Sequence, residues 1–116
     1  MFNFERLEVW HKAVAYAAAV YECTRAFPPE ERFALTNQIR RAATSISSNI
    51  AEGSARSPSD FAKFLGYASG SLYETVTQAT IARNLGFLDH TSHQTLYRAA
   101  EEISRMLSGL RSSLSG

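Results

Sequence analysis

Several groups of side chains in this sequence are of types that carry chemistry. Glu52 and Glu74 are carboxylates set among small polar residues, with Arg41 and Arg56 as candidate partners. Two carboxylates in one site can divide acid and base roles when their surroundings push their pKa values apart. That chemistry needs a cleft, and no cleft-forming loop surrounds either glutamate, so we read them as part of a salt-bridge network. Asp89, His90 and His93 are metal-ligating types. Two histidines three apart reach one side of a helix, but no further Cys or His cluster completes a site. They read as polar residues opening a helix. Serines are plentiful, yet none stands on a nucleophile elbow, and no glycine-rich phosphate loop is present. Cys23, the single cysteine, lies inside a helical pattern and reads as a small buried apolar group. His11 follows Trp10 without an evident partner and reads as a surface or interface residue. The expectation is no enzymatic activity, no catalytic residue, no cofactor and no metal.

Binding chemistry is better represented. Arg40, Arg41 and Arg56 are the candidate nucleic-acid contacts. Adjacent Arg40 and Arg41 point about 100° apart on a helix, while Arg41 and Arg56 share a broad face. A single chain offers too few cations to track a phosphate backbone, where each contact is rewarded by counterion release. Repeated around an oligomer, the same arginines would form a charged annulus.

The stretch that positions these residues runs from Phe33 to Leu72. In its first half Leu35, Ile39, Ala42, Ala43, Ile46 and Ile50 recur at helical spacing and form a core stripe. The opposite side carries Gln38, Arg41, Ser45, Ser48, Asn49, Glu52 and Arg56. Solvated helix faces usually carry long charged side chains. Ser, Thr and Asn are poorer helix formers, because their short polar groups compete for backbone hydrogen bonds. A face built of them looks like a surface to be covered by another helix or another subunit. Arg41, Asn49, Glu52, Arg56, Ser71 and Glu74 are therefore the candidate polar or interface cluster.

Length and composition agree with a soluble module. The chain has 116 residues, enough for one domain spanning 1–116 with a core that needs no staple. It is 45% apolar and 20% charged with a net charge of +1, which supplies no global field to attract nucleic acid or an anionic membrane. No secretion signal is recognisable, and the apolar run from Ala13 to Tyr21 is too short to span a bilayer. A cytoplasmic location without a membrane partner is the expectation.

Four helices are expected, roughly 8–26, 34–55, 58–85 and 90–114, after an extended lead-in whose Phe2, Phe4 and Leu7 dock on the core. In the first, Trp10, Val14, Ala17, Tyr21 and Thr24 line one face, and Phe27-Pro28-Pro29 ends it. The third starts with Ser57 as N-cap and Pro58 at the first position, buries Phe61, Leu65, Ala68, Leu72, Val76 and Ala79, and stops near Gly86. Ala62, Gly66 and Leu72 mimic a helix-turn-helix spacing, but the core stripe passes Gly66 in phase and no Lys or Arg lies between Phe64 and Ala82. Gly66 and Gly70 instead suggest close approach of another backbone. Asp89 caps the fourth helix, where Leu96, Ala100, Ile103, Leu107, Leu110 and Leu114 make a heptad seam and Glu101 with Arg105 an i,i+4 pair. No run alternates with period two. The fold class is all-α, an up-down-up-down four-helix bundle.

With these elements placed, the sequence resembles the four-helix-bundle family associated with intervening sequences of bacterial 23S ribosomal RNA genes. The resemblance rests on LEVWHKA (7–13), FPPEERFALTNQIRRAATSI (27–46), SNIAEGSAR (48–56) and DFAKFLGYASGSLYE (60–74). It implies a left-handed bundle assembling as a ring, a homopentamer, and kinship with basic accessory proteins of diversity-generating retroelements that bind nucleic acid. The near-neutral charge here departs from those proteins. The expected function is a non-enzymatic, ring-forming scaffold or binding module whose main partner is a second copy of itself. RNA or DNA binding is the alternative, and another protein a further partner class.

Overall fold

A computed structural model describes residues 1–115. After a 3-10 turn at Asn3–Arg6, the chain forms α1 (Glu8–Thr24), a second 3-10 turn (Pro29–Glu31), α2 (Leu35–Ser54), α3 (Pro58–Asn84) and α4 (His90–Ser113). No strand occurs among the described residues. The helices pack in cyclic order, α1 on α2, α2 on α3, α3 on α4 and α4 on α1, with no approach of the diagonal pairs' backbones. Ser45 meets Ser71, and Gly53 lies against Phe64, so α2 and α3 run antiparallel. Thr80 with His93 and Gly66 with Arg111 show the same for α3 and α4. The architecture is an up-down-up-down four-helix bundle measuring 45 × 22 × 22 Å.

Local signals explain the boundaries. The Ser57 hydroxyl accepts from the Asp60 amide at 3.3 Å and Pro58 occupies the first turn of α3. The Asp89 carboxylate accepts from the Ser92 amide at 2.7 Å and opens α4. Gly86 takes φ +81°, the left-handed conformation that ends α3 without a Cβ penalty. The start of α2 is held by a cap the sequence reading did not find, the Glu31 carboxylate accepting from the Leu35 amide at 3.3 Å. The α3 helix continues through Gly66 without a turn, which excludes a helix-turn-helix there.

The core stripe of α2 is buried as expected: Leu35, Ile39, Ala42, Ala43, Ile46 and Ile50 all lie inside. In α4, Leu96, Ala100, Ile103 and Leu107 are buried, and Leu110 and Leu114 pack at the margin. The α1 stripe differs from the expected one. Val9, Ala13, Tyr16, Ala17, Val20 and Thr24 face the core, whereas Val14 and Tyr21 remain exposed at 42% and 44%. Helix α1 is apolar nearly all round, so periodicity alone admits two stripes one residue apart. On α3 the interior also takes Thr75. The Tyr16 hydroxyl donates to Thr75 Oγ1 at 2.8 Å, and Thr75 passes its own proton to the Leu72 carbonyl at 2.6 Å.

Three further expectations are corrected. The lead-in is a 3-10 turn rather than extended; Leu7 packs on the core, Phe4 is half-buried against Trp10, and Phe2 stacks on the outer face of Phe4 and stays exposed. Glu101 has no ion pair with Arg105 within 4 Å; Glu102 instead reaches Lys12 of α1 at 3.0 Å. The close approach at a glycine occurs at Gly53, where an added Cβ would stand 2.6 Å from Phe64 Cβ. Gly66 is covered only by the flexible Arg111 guanidinium, and nothing lies within 4 Å of a Cβ at Gly70.

Candidate functional site

The antiparallel register of α2 and α3 divides the expected polar cluster in two. Ser45 and Ser71 meet across the helices at 2.5 Å between hydroxyl oxygens. Around them Asn37, Gln38, Arg41, Glu74 and Gln78 line an open polar groove of about 500 Å³. Glu52 and Arg56 lie near Phe64, toward the opposite end of the bundle. At 1.5 Å per helical residue, Glu52 and Glu74 stand about 15 Å apart along the axis. The two glutamates do not meet.

Each candidate residue has a definite environment. Glu52 and Arg56 pair at 2.9 Å, four residues apart on α2, and the Arg56 guanidinium lies 5.0 Å above the Phe64 ring. Asn49 donates to the Ser45 carbonyl at 2.8 Å, one turn back on its own helix. Ser47 and Ser48 both return to the Thr44 carbonyl and Ser54 to that of Ala51. The small polar groups of α2 thus largely satisfy themselves by back-bonding, a pattern that lets Ser and Asn reside inside a helix. Arg40 is an internal strap. Its Nε donates to Thr24 Oγ1 at 2.8 Å, a terminal nitrogen reaches the Tyr21 carbonyl, and the guanidinium lies 4.6 Å from the Tyr21 ring. Arg41 projects into the polar groove and has no ion-pair partner within 4 Å among the described residues. Beneath it, Gln78 Oε1 is buried without a hydrogen-bond partner.

Across α3 lies a second open groove, between α3 and α4, of about 280 Å³. Leu72, Val76 and Ala100 form its apolar lining, Tyr73 and Tyr97 border it, and Glu101 is its single charge. Sequence reading missed Tyr73 and Tyr97 as surface features. The available signal was the absence of Lys and Arg from Phe64 to Ala82, which leaves Tyr67, Gly70, Tyr73, Thr77 and Ile81 exposed with Glu74 alone carrying charge. Such an outward face contrasts with the long charged residues that usually solvate a helix.

Of the remaining titratable candidates His93 is internal, Cys23 is half-buried rather than buried, and His11 and His90 are exposed. His93 is buried, with Nε2–H donating to Thr80 Oγ1 at 3.1 Å and Nδ1 accepting from Arg83 at 3.4 Å. Burial first, then the Arg83 charge and that of His90, hold its pKa below the ordinary imidazole value. Burial also pushes the Cys23 thiol up, with Asp89 adding to it, which keeps the sulfur protonated. His11 donates or accepts at the Glu5 carbonyl at 2.7 Å and packs edge-on to Trp10. No group of three or more His, Cys, Asp or Glu side chains gathers as a metal set among the described residues. No described helix is long and apolar enough to cross a membrane.

The geometry is that of a bundle whose weakly charged third helix has an open groove on either side. No curated protein sequence matches the chain. A family described as 23S rRNA-intervening sequence protein matches it over residues 5–109, which takes in all of α1, α2 and α3 and most of α4. The chain belongs to the 23S rRNA-intervening sequence protein family.

Proposed function

We propose that this protein is a non-enzymatic, ring-forming homo-oligomeric scaffold. The observation that carries this reading is the outward face of α3. Over four turns it exposes Tyr67, Gly70, Tyr73, Thr77 and Ile81 against one charge, Glu74. Tyr67 and Tyr73 are 58% and 59% exposed in the isolated chain, an aromatic surface that gains by being covered. The resemblance already described adds the ring form, with five copies. Native mass spectrometry of the purified protein tests it: a single closed assembly is expected, and a monomer at micromolar concentration overturns it.

A second reading, RNA binding by the assembled ring, draws on the family's description and on the exposed guanidiniums of Arg41 and Arg56. It is checked in the same experiment by adding a short structured RNA. Bound RNA whose affinity falls steeply with salt supports it; no added mass at low salt rejects it.

A further inference from the structure

Each groove beside α3 holds a charged side chain that has no ion-pair partner within 4 Å among the described residues. The α2–α3 groove holds Arg41, with Glu74 on the facing helix but not within 4 Å of it. The α3–α4 groove holds Glu101, and neither Arg98 nor Arg105, three and four residues away on α4, pairs with it within 4 Å. The other arginines of α2 and α3 and of the link between them are engaged, Arg40 with Thr24 and Tyr21, Arg56 with Glu52 and Arg83 with His93, whereas Arg98 and Arg105 of α4 are exposed and do not line either groove. Arg41 is the cation that the α2–α3 groove leaves free.

The α3–α4 groove has the chemistry to receive it. A planar guanidinium stacks on aromatic faces and pairs with carboxylates, and both are offered there by Tyr73, Tyr97 and Glu101. Leu72, Val76 and Ala100 supply apolar wall for the arginine's methylene stem. Both tyrosines are exposed in the isolated chain, at 59% and 43%, so their rings are accessible to an incoming side chain.

Resting on the ring reading above, we propose that the subunit contact is head-to-tail, with Arg41 of one copy entering the α3–α4 groove of the next. Its guanidinium lies between Tyr73 and Tyr97 and against Glu101. The contact joins two different surfaces, so it cannot be a two-fold interface; it repeats until the rotation closes. The grooves occupy adjacent sides of a four-cornered bundle, roughly 90° apart, and cyclic closure asks for about 90° with four copies and about 108° with five. Both values are met by a modest turn of the grooves. Helix α3, shared by the two grooves, then faces the ring axis, which is where a helix with few charges is sheltered.

The test is a charge-reversal cycle read by native mass spectrometry and by sedimentation across a dilution series, with circular dichroism confirming helix content. Arg41→Glu and Glu101→Arg singly are expected to raise the concentration for half-assembly on the order of 10²-fold. The double variant, with both charges reversed, is expected to recover most of that loss. Wild-type protein that is monomeric overturns the ring reading itself. A wild-type ring that survives Arg41→Glu unchanged overturns this contact while leaving the ring standing. Two disruptive single variants without recovery in the double also overturn it. So does an Arg41→Glu ring that stays assembled and loses RNA, which would assign Arg41 to nucleic acid.

Discussion

Gly53 and Gly70 sit 17 positions apart on facing helices and are constrained in opposite ways. A Cβ at Gly53 would lie 2.6 Å from Phe64 Cβ and 2.9 Å from the Phe61 ring, both parts of packed side chains near the backbone. Gly53→Ala should therefore lower the unfolding free energy by about 1–3 kcal/mol, less whatever the better helix propensity returns. Gly70 meets nothing, so Gly70→Ala should raise it by about 0.5–1 kcal/mol at dilutions where the chain is monomeric. Urea titration of the two variants checks both, and equal responses would contradict the packing at Gly53. Sequence reading marked the glycines of α3 and passed over Gly53 in α2. Composition shows that a glycine lowers helix propensity, but only the facing helix shows whether space or pressure is the reason.

At the scale of the helix, legibility follows from contrast. The α2 stripe was readable because apolar and polar residues segregate to opposite sides, and the starts of α3 and α4 were placed at the right residue, their ends one residue late, because Ser57, Pro58, Gly86 and Asp89 each act locally. Helix α1 lacked contrast, and its buried face was misplaced by one residue. The candidate cluster failed on a different ground. Whether Glu52 and Glu74 meet depends on the register of α2 against α3, which is set by contacts such as Ser45–Ser71 that no single helix encodes. The seam between α3 and α4 carries a titratable group that helical periodicity did not expose as buried. His93 has its folded pKa below the usual 6.5, so the unfolded chain takes up the proton first. Its contribution to stability is fully present above the unfolded value and is lost as pH falls from there toward the folded value. Urea midpoints should be lower at about pH 5 than at about pH 7.5, and His93→Gln should flatten the part of that slope lying near pH 6. An unchanged slope would mean that the ring is solvated.

For the whole molecule the relevant quantity is concentration. An isolated bundle of this size unfolds with a midpoint independent of how much protein is present. A chain whose folded form is bound by other copies does not, since association stabilises the folded state by mass action. The thermal midpoint should rise steadily as protein concentration is raised over two or three decades, and the Arg41→Glu variant should lose that dependence. A flat midpoint for the wild type would show the chain folding and functioning alone. The bundle type was legible from four well-delimited helices and short connections. What covers the α3 face was not, because periodicity separates buried from exposed within one chain and is silent about surfaces buried only between chains.

The hydroxyl pair Tyr16–Thr75 joins α1 to α3, two helices whose backbones otherwise do not approach. Around it α1 offers Ala13, Ala17 and Ala19, short and similar side chains that by themselves mark its axial position only weakly. A slide of one helical turn would strand the tyrosine hydroxyl in a dry interior, at a cost of about 1–3 kcal/mol. Together with the Arg40 bonds to Thr24 and Tyr21 and the Lys12–Glu102 pair, this hydrogen bond acts as a vernier mark that selects a single axial setting of α1. The two grooves beside α3 inherit their spacing from α2 and α4, and α1 touches both of those helices. An alignment that two hydroxyls deep in the core help to set therefore reaches the outer surface as the spacing, on one copy, between Arg41 and the Tyr73–Tyr97 pair, the two halves of the proposed contact.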